Sequence, residues 1–230
     1  HTRLLRVSWG SEMCIRDRVY IMKVLLVNGS SNLQGCTYTA LSEVAKSLEN
    51  NGIETEIIQV GKDAIRDCSG CGYCRKNEGC VFKDDIVAEI IEKAKTADGF
   101  VFGSPVYYAH PAGRLLSVMD RAFYAGGKYF AFKPAAAVVS ARRAGTTASL
   151  EAITKHFTIN QMPVVSANYW CMVHGAQNSP DDVRKDEEGL QIMRVLGKNM
   201  AWLLKCIELG KQSGIEHPQP ENKIATNFIR

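Results

Sequence analysis

Four of the eight cysteines in this 230-residue chain fall within one short stretch, spaced Cys68-x2-Cys71-x2-Cys74-x5-Cys80. Gly70, Gly72 and Gly79 lie among them and let the backbone wrap closely around one centre. A compact set of thiols can ligate iron–sulfur clusters or zinc, or can form disulfides. The spacing is near the bacterial ferredoxin run Cys-x2-Cys-x2-Cys-x3-Cys, without its proline. Zinc sites more often pair two Cys-x2-Cys knuckles across a longer insert. A chain of this length with one crowded loop is not a small disulfide scaffold, and its thiols imply a reducing compartment. A [4Fe–4S] cluster on Cys68, Cys71, Cys74 and Cys80 is therefore expected. The alternatives are a vestigial loop of reduced thiols and a zinc-stabilised, non-catalytic module. Cys171 and Cys206 read as buried or half-buried thiols.

Three further segments carry ligand chemistry. Gly29-Ser30-Ser31-Asn32-Leu33-Gln34-Gly35-Cys36-Thr37 follows an apolar run and opens a helix-spaced one. Backbone N–H groups at a helix N-terminus make a phosphate cradle. No Gly-Lys-Ser/Thr follows and no Gly-x-Gly-x-x-Gly is present, so this is neither a Walker loop nor a dinucleotide fingerprint. A monophosphate held at Ser30, Asn32, Gly35, Cys36 and Thr37 without a lysine suits FMN better than ATP. Read alone, the segment fits a Ser/Asn-rich turn capping a helix equally well.

The second segment, Ser104-Pro105-Val106-Tyr107-Tyr108, tips that balance. A rigid proline, two rings and exposed amides are what an isoalloxazine needs for stacking and hydrogen bonding. Pro105, Val106, Tyr107 and Tyr108 are accordingly assigned to the flavin. The third segment, Ser140-Ala141-Arg142-Arg143-Ala144-Gly145, adds positive charge, and Ser140, Arg142 and Gly145 join the site. Arg142 is the candidate to stabilise the anionic reduced ring. Arg143 reads as a solvated turn residue, and His174 as a structural one.

These loops need a frame that delivers them to one edge. Strand signals lie at 24–27, 54–60, 99–104, 135–140 and 163–166, and helix signals at 36–51, 84–98, 111–123, 147–160 and 181–209. Pro111 is placed in the first turn of its helix. Continuous apolar runs such as Val24–Val27 are typical of parallel strands buried on both faces. Regular alternation of the two signals specifies an α/β three-layer sandwich with a five-stranded parallel sheet in the flavodoxin-like order 2-1-3-4-5. Ligands in such sheets sit beyond the carboxyl ends of the strands. One domain is expected at 22–210, with a C-terminal arm at 211–230. Residues 1–21 lack any apolar period and read as a leader, disordered or an artefact of sequence assembly, with Met22 as the start.

Composition sets the outer bounds. Hydrophobic residues make up 46% and charged residues 23%, the balance of an ordinary globular chain. A net charge of +4 is too weak to argue for nucleic acid. No apolar run approaches the ~20 residues of a membrane span. A cytoplasmic protein is expected.

The set Gly29-Ser30…Gly35-x-Thr37, Ser104-Pro105-Val106-Tyr107 and Met119-Asp120-Arg121 resembles the NADPH-dependent FMN reductase family of flavodoxin-fold proteins. The cysteine loop resembles its iron–sulfur flavoprotein branch. The resemblance covers nearly all of 22–210 and departs at Cys36, where relatives often carry Asn. It implies FMN held by the three loops, hydride or electron chemistry at the flavin, and a homodimer or homotetramer with the flavin near a subunit interface. Two activities follow. One is an NAD(P)H-dependent flavin oxidoreductase reducing a small-molecule acceptor. The other is an electron carrier whose cluster accepts electrons from a ferredoxin-like protein.

Overall fold

The computed structural model describes residues 20–176, 179–219, 221–222, 224–226 and 228. Uninterrupted apolar runs form the middle of the sheet. In chain order the strands are β1 (Lys23–Asn28), β2 (Glu54–Gln59), β3 (Gly99–Tyr107), β4 (His110–Pro111), β5 (Ala135–Ala141) and β6 (Met172–His174). Five are parallel, in the order β2-β1-β3-β5-β6, and β4 folds back antiparallel on the end of β3. β5 is buried throughout, whereas β2, at one edge, is only partly buried.

Alternate side chains of each central strand enter opposite cores. Val24, Leu26 and Val101 pack with Leu41 and Val44 of α1 (Cys36–Glu49) and with Leu196 and Met200 of α6 (Glu187–Gln212). Leu25, Val27, Phe100 and Phe102 meet Ile90 of α2 (Ile86–Ala94), Leu115 and Val118 of α3 (Gly113–Gly126) and Phe157 of α4 (Thr146–Ile159). Helices thus cover both faces, in the three-layer arrangement expected of a flavodoxin-like sheet. Among the described residues no helix is long and apolar enough to cross a membrane.

Three expectations are corrected. The apolar run at 163–166 makes only a single parallel bridge, Val164 to Ala135, and the fifth parallel strand is β6 instead. Val165 is buried in a core cluster, so the run reported packing rather than pairing. The long helix at 181–209 is two, α5 (Pro180–Lys185) and α6, broken at Asp186. Asp186 caps α6 by accepting from Gly189 N (2.9 Å) and also accepts from His174 N (2.6 Å), a role Asp fills better than a helix-interior one. Pro111 belongs to β4 rather than to a helical first turn, because β3 runs on through Tyr107 and pairs with it. α6 ends at Gln212. Residues 1–19 of the expected leader, Cys14 among them, lie outside the described residues. Tyr20 donates its hydroxyl to Asp98 Oδ1 (2.7 Å).

Candidate functional site

The carboxyl ends of β1, β3 and β5 meet at one edge of the sheet. There Gly29 N donates to Gly103 O (2.8 Å). A Cβ on Gly29 would lie 2.7 Å from Leu115 Cβ and 2.9 Å from Gly103 O, so only glycine lets β1 leave the sheet here. Asn28, fully buried, accepts from Ser30 N (3.0 Å) and donates to Gln59 Oε1 (2.7 Å). Ser30 Oγ in turn accepts from Asn32 N (3.1 Å). The first loop is therefore shaped by its own hydrogen bonds. α1 opens at Gly35 with no side chain capping it and no acid in its first turn. Unclaimed N–H groups at a helix N-terminus without a competing negative charge fit the phosphate of FMN.

Thr37 and Ser140, expected on separate loops, meet: both are buried and their hydroxyl oxygens are 2.8 Å apart. Cys36 donates its thiol to the Ser179 carbonyl (3.5 Å) at the start of α5. Burial, reinforced by Asp182, pushes that thiol above its usual range and keeps it protonated.

Ser104, a buried residue named in the second segment but given no role there, shapes that loop. Its Oγ accepts from Ala112 N and donates to Pro105 O, both at 2.9 Å. Tyr107 pairs with His110 across a two-residue turn, the length that favours positive φ. Tyr108 takes that conformation at φ 59° and projects its ring fully into solvent. Tyr107 Oη lies 3.2 Å from Ser31 Oγ and so joins the second loop to the first. In the third loop Gly145 precedes α4. Arg142 and Arg143 are exposed, and among the described residues neither pairs with a carboxylate.

The cysteine loop lies before α2. Gly70, Gly72 and Gly79 have φ values of 66°, 71° and 79°, the left-handed turns expected from a chain wrapping around a centre. Cys68 and Cys71 are exposed, Cys74 and Cys80 half-buried. All four line one cavity of about 280 Å³, with Phe82, Arg121 and Tyr124 on its walls. Among the described residues no three His, Cys, Asp or Glu side chains converge on a single metal ion. Four thiols lining one cavity are the donor set an iron–sulfur cluster would use.

Arg121, quoted above only as part of a motif, is the residue whose role sequence reasoning missed. It lies on α3, 1% exposed, among Leu115, Val118, Met119 and Ala122, and a lone arginine on an apolar face was the available signal. Its guanidinium pairs with Asp85 through both carboxylate oxygens (2.5 and 3.2 Å). It also donates to the carbonyls of Arg66 (3.1 Å) and Phe82 (3.2 Å), and its Nε lies 3.4 Å from Cys80 Sγ. The remaining cysteines divide. Burial pushes the Cys171 thiol up to about 11, whereas Cys206, expected to be at least half-buried, is exposed.

A family model for NADPH-dependent FMN reductases matches residues 22–177, a span that holds all three strand-end loops and the cysteine loop. The chain belongs to that family. This FMN reductase family member is 33% identical over 196 residues to an iron–sulfur flavoprotein of Methanocaldococcus jannaschii, covering 81% of this chain and 100% of the relative. Among solved structures, an NAD(P)H:quinone oxidoreductase from Methanothermobacter marburgensis aligns at a TM-score of 0.60 and 15% identity, over 78% of this chain and 96% of that one. A flavodoxin from the domain Archaea aligns at 0.54 and 16%, over 80% and 99%. The family and the flavodoxin-like fold implied by the motifs are both borne out: the protein is a flavodoxin-like flavoprotein of the FMN reductase family, with iron–sulfur flavoproteins among its relatives.

Proposed function

We propose that this protein is an FMN-dependent NAD(P)H oxidoreductase that also carries a [4Fe–4S] cluster and passes electrons to a small acceptor such as a quinone, a nitro compound or free flavin. The observation that carries this reading is the lining of one cavity by Cys68, Cys71, Cys74 and Cys80 in a chain whose strand-end edge is shaped for a flavin phosphate. When bound, FMN supplies two-electron hydride chemistry and the cluster supplies one-electron steps.

The protein's own groups bind and orient. The amides at Gly35, Cys36 and Thr37 take the phosphate, with Ser30 and Asn32 holding the loop around it. Because the side chains of Cys36 and Thr37 are engaged elsewhere, their contribution is backbone N–H. Pro105, Val106, Tyr107 and Tyr108 flank the ring system. Ser140 and Gly145 shape the third loop, and Arg142 supplies a positive charge beside it. No general acid or base is required. Exposed Tyr108, Trp202 and Leu209 favour a homodimer or homotetramer that shelters the flavin. Free thiols in the cysteine loop suit the cytoplasm.

Exposure of Cys68 and Cys71 favours a second reading, in which a ferredoxin-like protein delivers electrons directly to the cluster. Anaerobically purified protein separates the two. Stoichiometric FMN, about four irons per chain and rapid flavin bleaching on mixing with NADPH are expected. Bleaching by reduced ferredoxin alone supports the carrier, and colourless protein rejects both.

A further inference from the structure

We infer that Arg121 is a positioning residue for the cluster, closing the cysteine loop on both stems and donating a hydrogen bond to Cys80 that raises the cluster's reduction potential. The inference rests on the cluster reading above. The loop has little core of its own: Cys68 and Cys71 are exposed, as are residues 75–78. Glu78 is held from outside by the Tyr129 hydroxyl, and both stems are gathered by a single guanidinium. Arg121 takes the carbonyl of Arg66 before the first cysteine and that of Phe82 after the last, and Asp85 holds the guanidinium from the other side. Asp85 is itself anchored, since its Oδ1 caps α2 by accepting from Val87 N (3.1 Å). Phe82 is further gripped by Arg66, whose Cζ stands 4.5 Å from the ring centroid. The two ends of the loop are thus tied to α2 and α3 through one ion pair that is almost fully buried.

The remaining donor, Nε, faces Cys80 Sγ at 3.4 Å. Among the described residues, Cys80 alone of the four cysteines receives a side-chain hydrogen bond. Hydrogen bonds and positive charge at ligating sulfur favour the more negative, reduced state of a cluster. One-electron reduction adds one negative charge without making or breaking a bond, and a fixed cation beside Cys80 stabilises that charge. Lysine cannot substitute. An ammonium keeps the charge but lacks the planar fork that reaches Asp85, two carbonyls and a sulfur at once.

The test compares anaerobic wild-type holoprotein with Arg121→Gln and Arg121→Lys. Iron and FMN per chain are measured, far-UV circular dichroism is recorded, and midpoint potentials of cluster and flavin are followed through a dithionite titration with mediators. In Arg121→Gln the cluster potential is expected to move to more negative values while FMN content stays at one per chain. Arg121→Lys should shift in the same direction by less. If Arg121→Gln keeps its FMN and its circular dichroism but loses iron, and Arg121→Lys retains more, the positioning role is supported. Wild-type iron and an unchanged cluster potential in both variants would overturn the inference alone. Parallel loss of iron, FMN and secondary structure in both would overturn it in favour of a general stabilising role. Wild-type protein with no iron would remove the cluster reading and this inference together.

Discussion

The strand-end edge and the cysteine loop are held by opposite means. At the edge, each loop leaves a strand of the central sheet, and its polar groups are satisfied partly within the loop, Asn28 to Ser30 and Ser30 to Asn32, and partly across loops, Thr37 to Ser140 and Tyr107 to Ser31. The sheet positions that site, and no single side chain is indispensable to its shape. The cysteine loop lies outside both cores, with Glu78 tied to Tyr129 and both stems gathered by one buried guanidinium drawn from a helix elsewhere in the chain. Their thiols differ accordingly. Cys36 and Cys171 are buried and held protonated, which makes them poor ligands, whereas the four loop cysteines are exposed or half-buried. A site on a sheet edge inherits rigidity from the core, while a site on a loop must be given its own anchor.

The contrast is most exposed at Asp85. Asp85→Ala leaves the Arg121 guanidinium unpaired at 1% exposure and removes the α2 cap. A stability loss of about 3–5 kcal/mol is expected, measured by urea denaturation of metal-free protein. FMN affinity of the folded fraction should change less than about twofold, because the phosphate loop is built by other strand ends. A loss below about 1 kcal/mol would show that the loop is not anchored there.

A smaller effect tests the buried thiols. The folded Cys171 holds its proton to about 11, where an unfolded cysteine releases it near 9.0. Its contribution is therefore intact below the lower value and lost as pH rises through the higher one, by up to about 3 kcal/mol. Cys171→Ala should be less stable at neutral pH yet show a shallower decline over that window. Identical slopes in the two proteins would remove the thiol from the account.

The smallest effect probes the cradle itself. Gln34 is exposed one residue before the α1 N-cap, where an acid is favourable to the helix but repels a bound phosphate. Gln34→Glu should weaken FMN binding roughly fivefold at low salt, about 1 kcal/mol, without lowering the melting temperature of the flavin-free protein. Titration of apoprotein by flavin fluorescence quenching reads this directly. Unchanged affinity would move the phosphate elsewhere.

Much of the frame was legible because β1, β3 and β5 are buried on both faces and carry their burial as unbroken apolar runs. The run at 163–166 misled for the same reason: a buried Val165 looks alike whether it pairs or packs. The break at Asp186 was hidden by apolar periodicity that continues across it, although aspartate within a presumed helix was a usable sign. The loops at the strand ends were readable because their residue types carry the chemistry, although contacts between loops such as Thr37 to Ser140 left no mark in the spacing. Arg121 was not, since its partners Arg66, Cys80, Phe82 and Asp85 come from another part of the chain and only folding brings them together. Contacts of that kind leave no spacing to recognise.

Pinning both stems at one point also makes the cysteine segment a separable part. The chain departs at Arg66 and returns at Phe82 to the same guanidinium, so the intervening residues close on a fixed base rather than on the sheet. The stretch from Arg75 to Asn77 is exposed, and lengthening it ahead of the Glu78–Tyr129 hydrogen bond adds closure entropy of about 0.6 kcal/mol for each doubling of the loop. Added length is therefore expected to be tolerated between Cys74 and Cys80 at that exposed stretch. A designer could exchange the whole segment as a cassette and leave the neighbouring strand ends undisturbed.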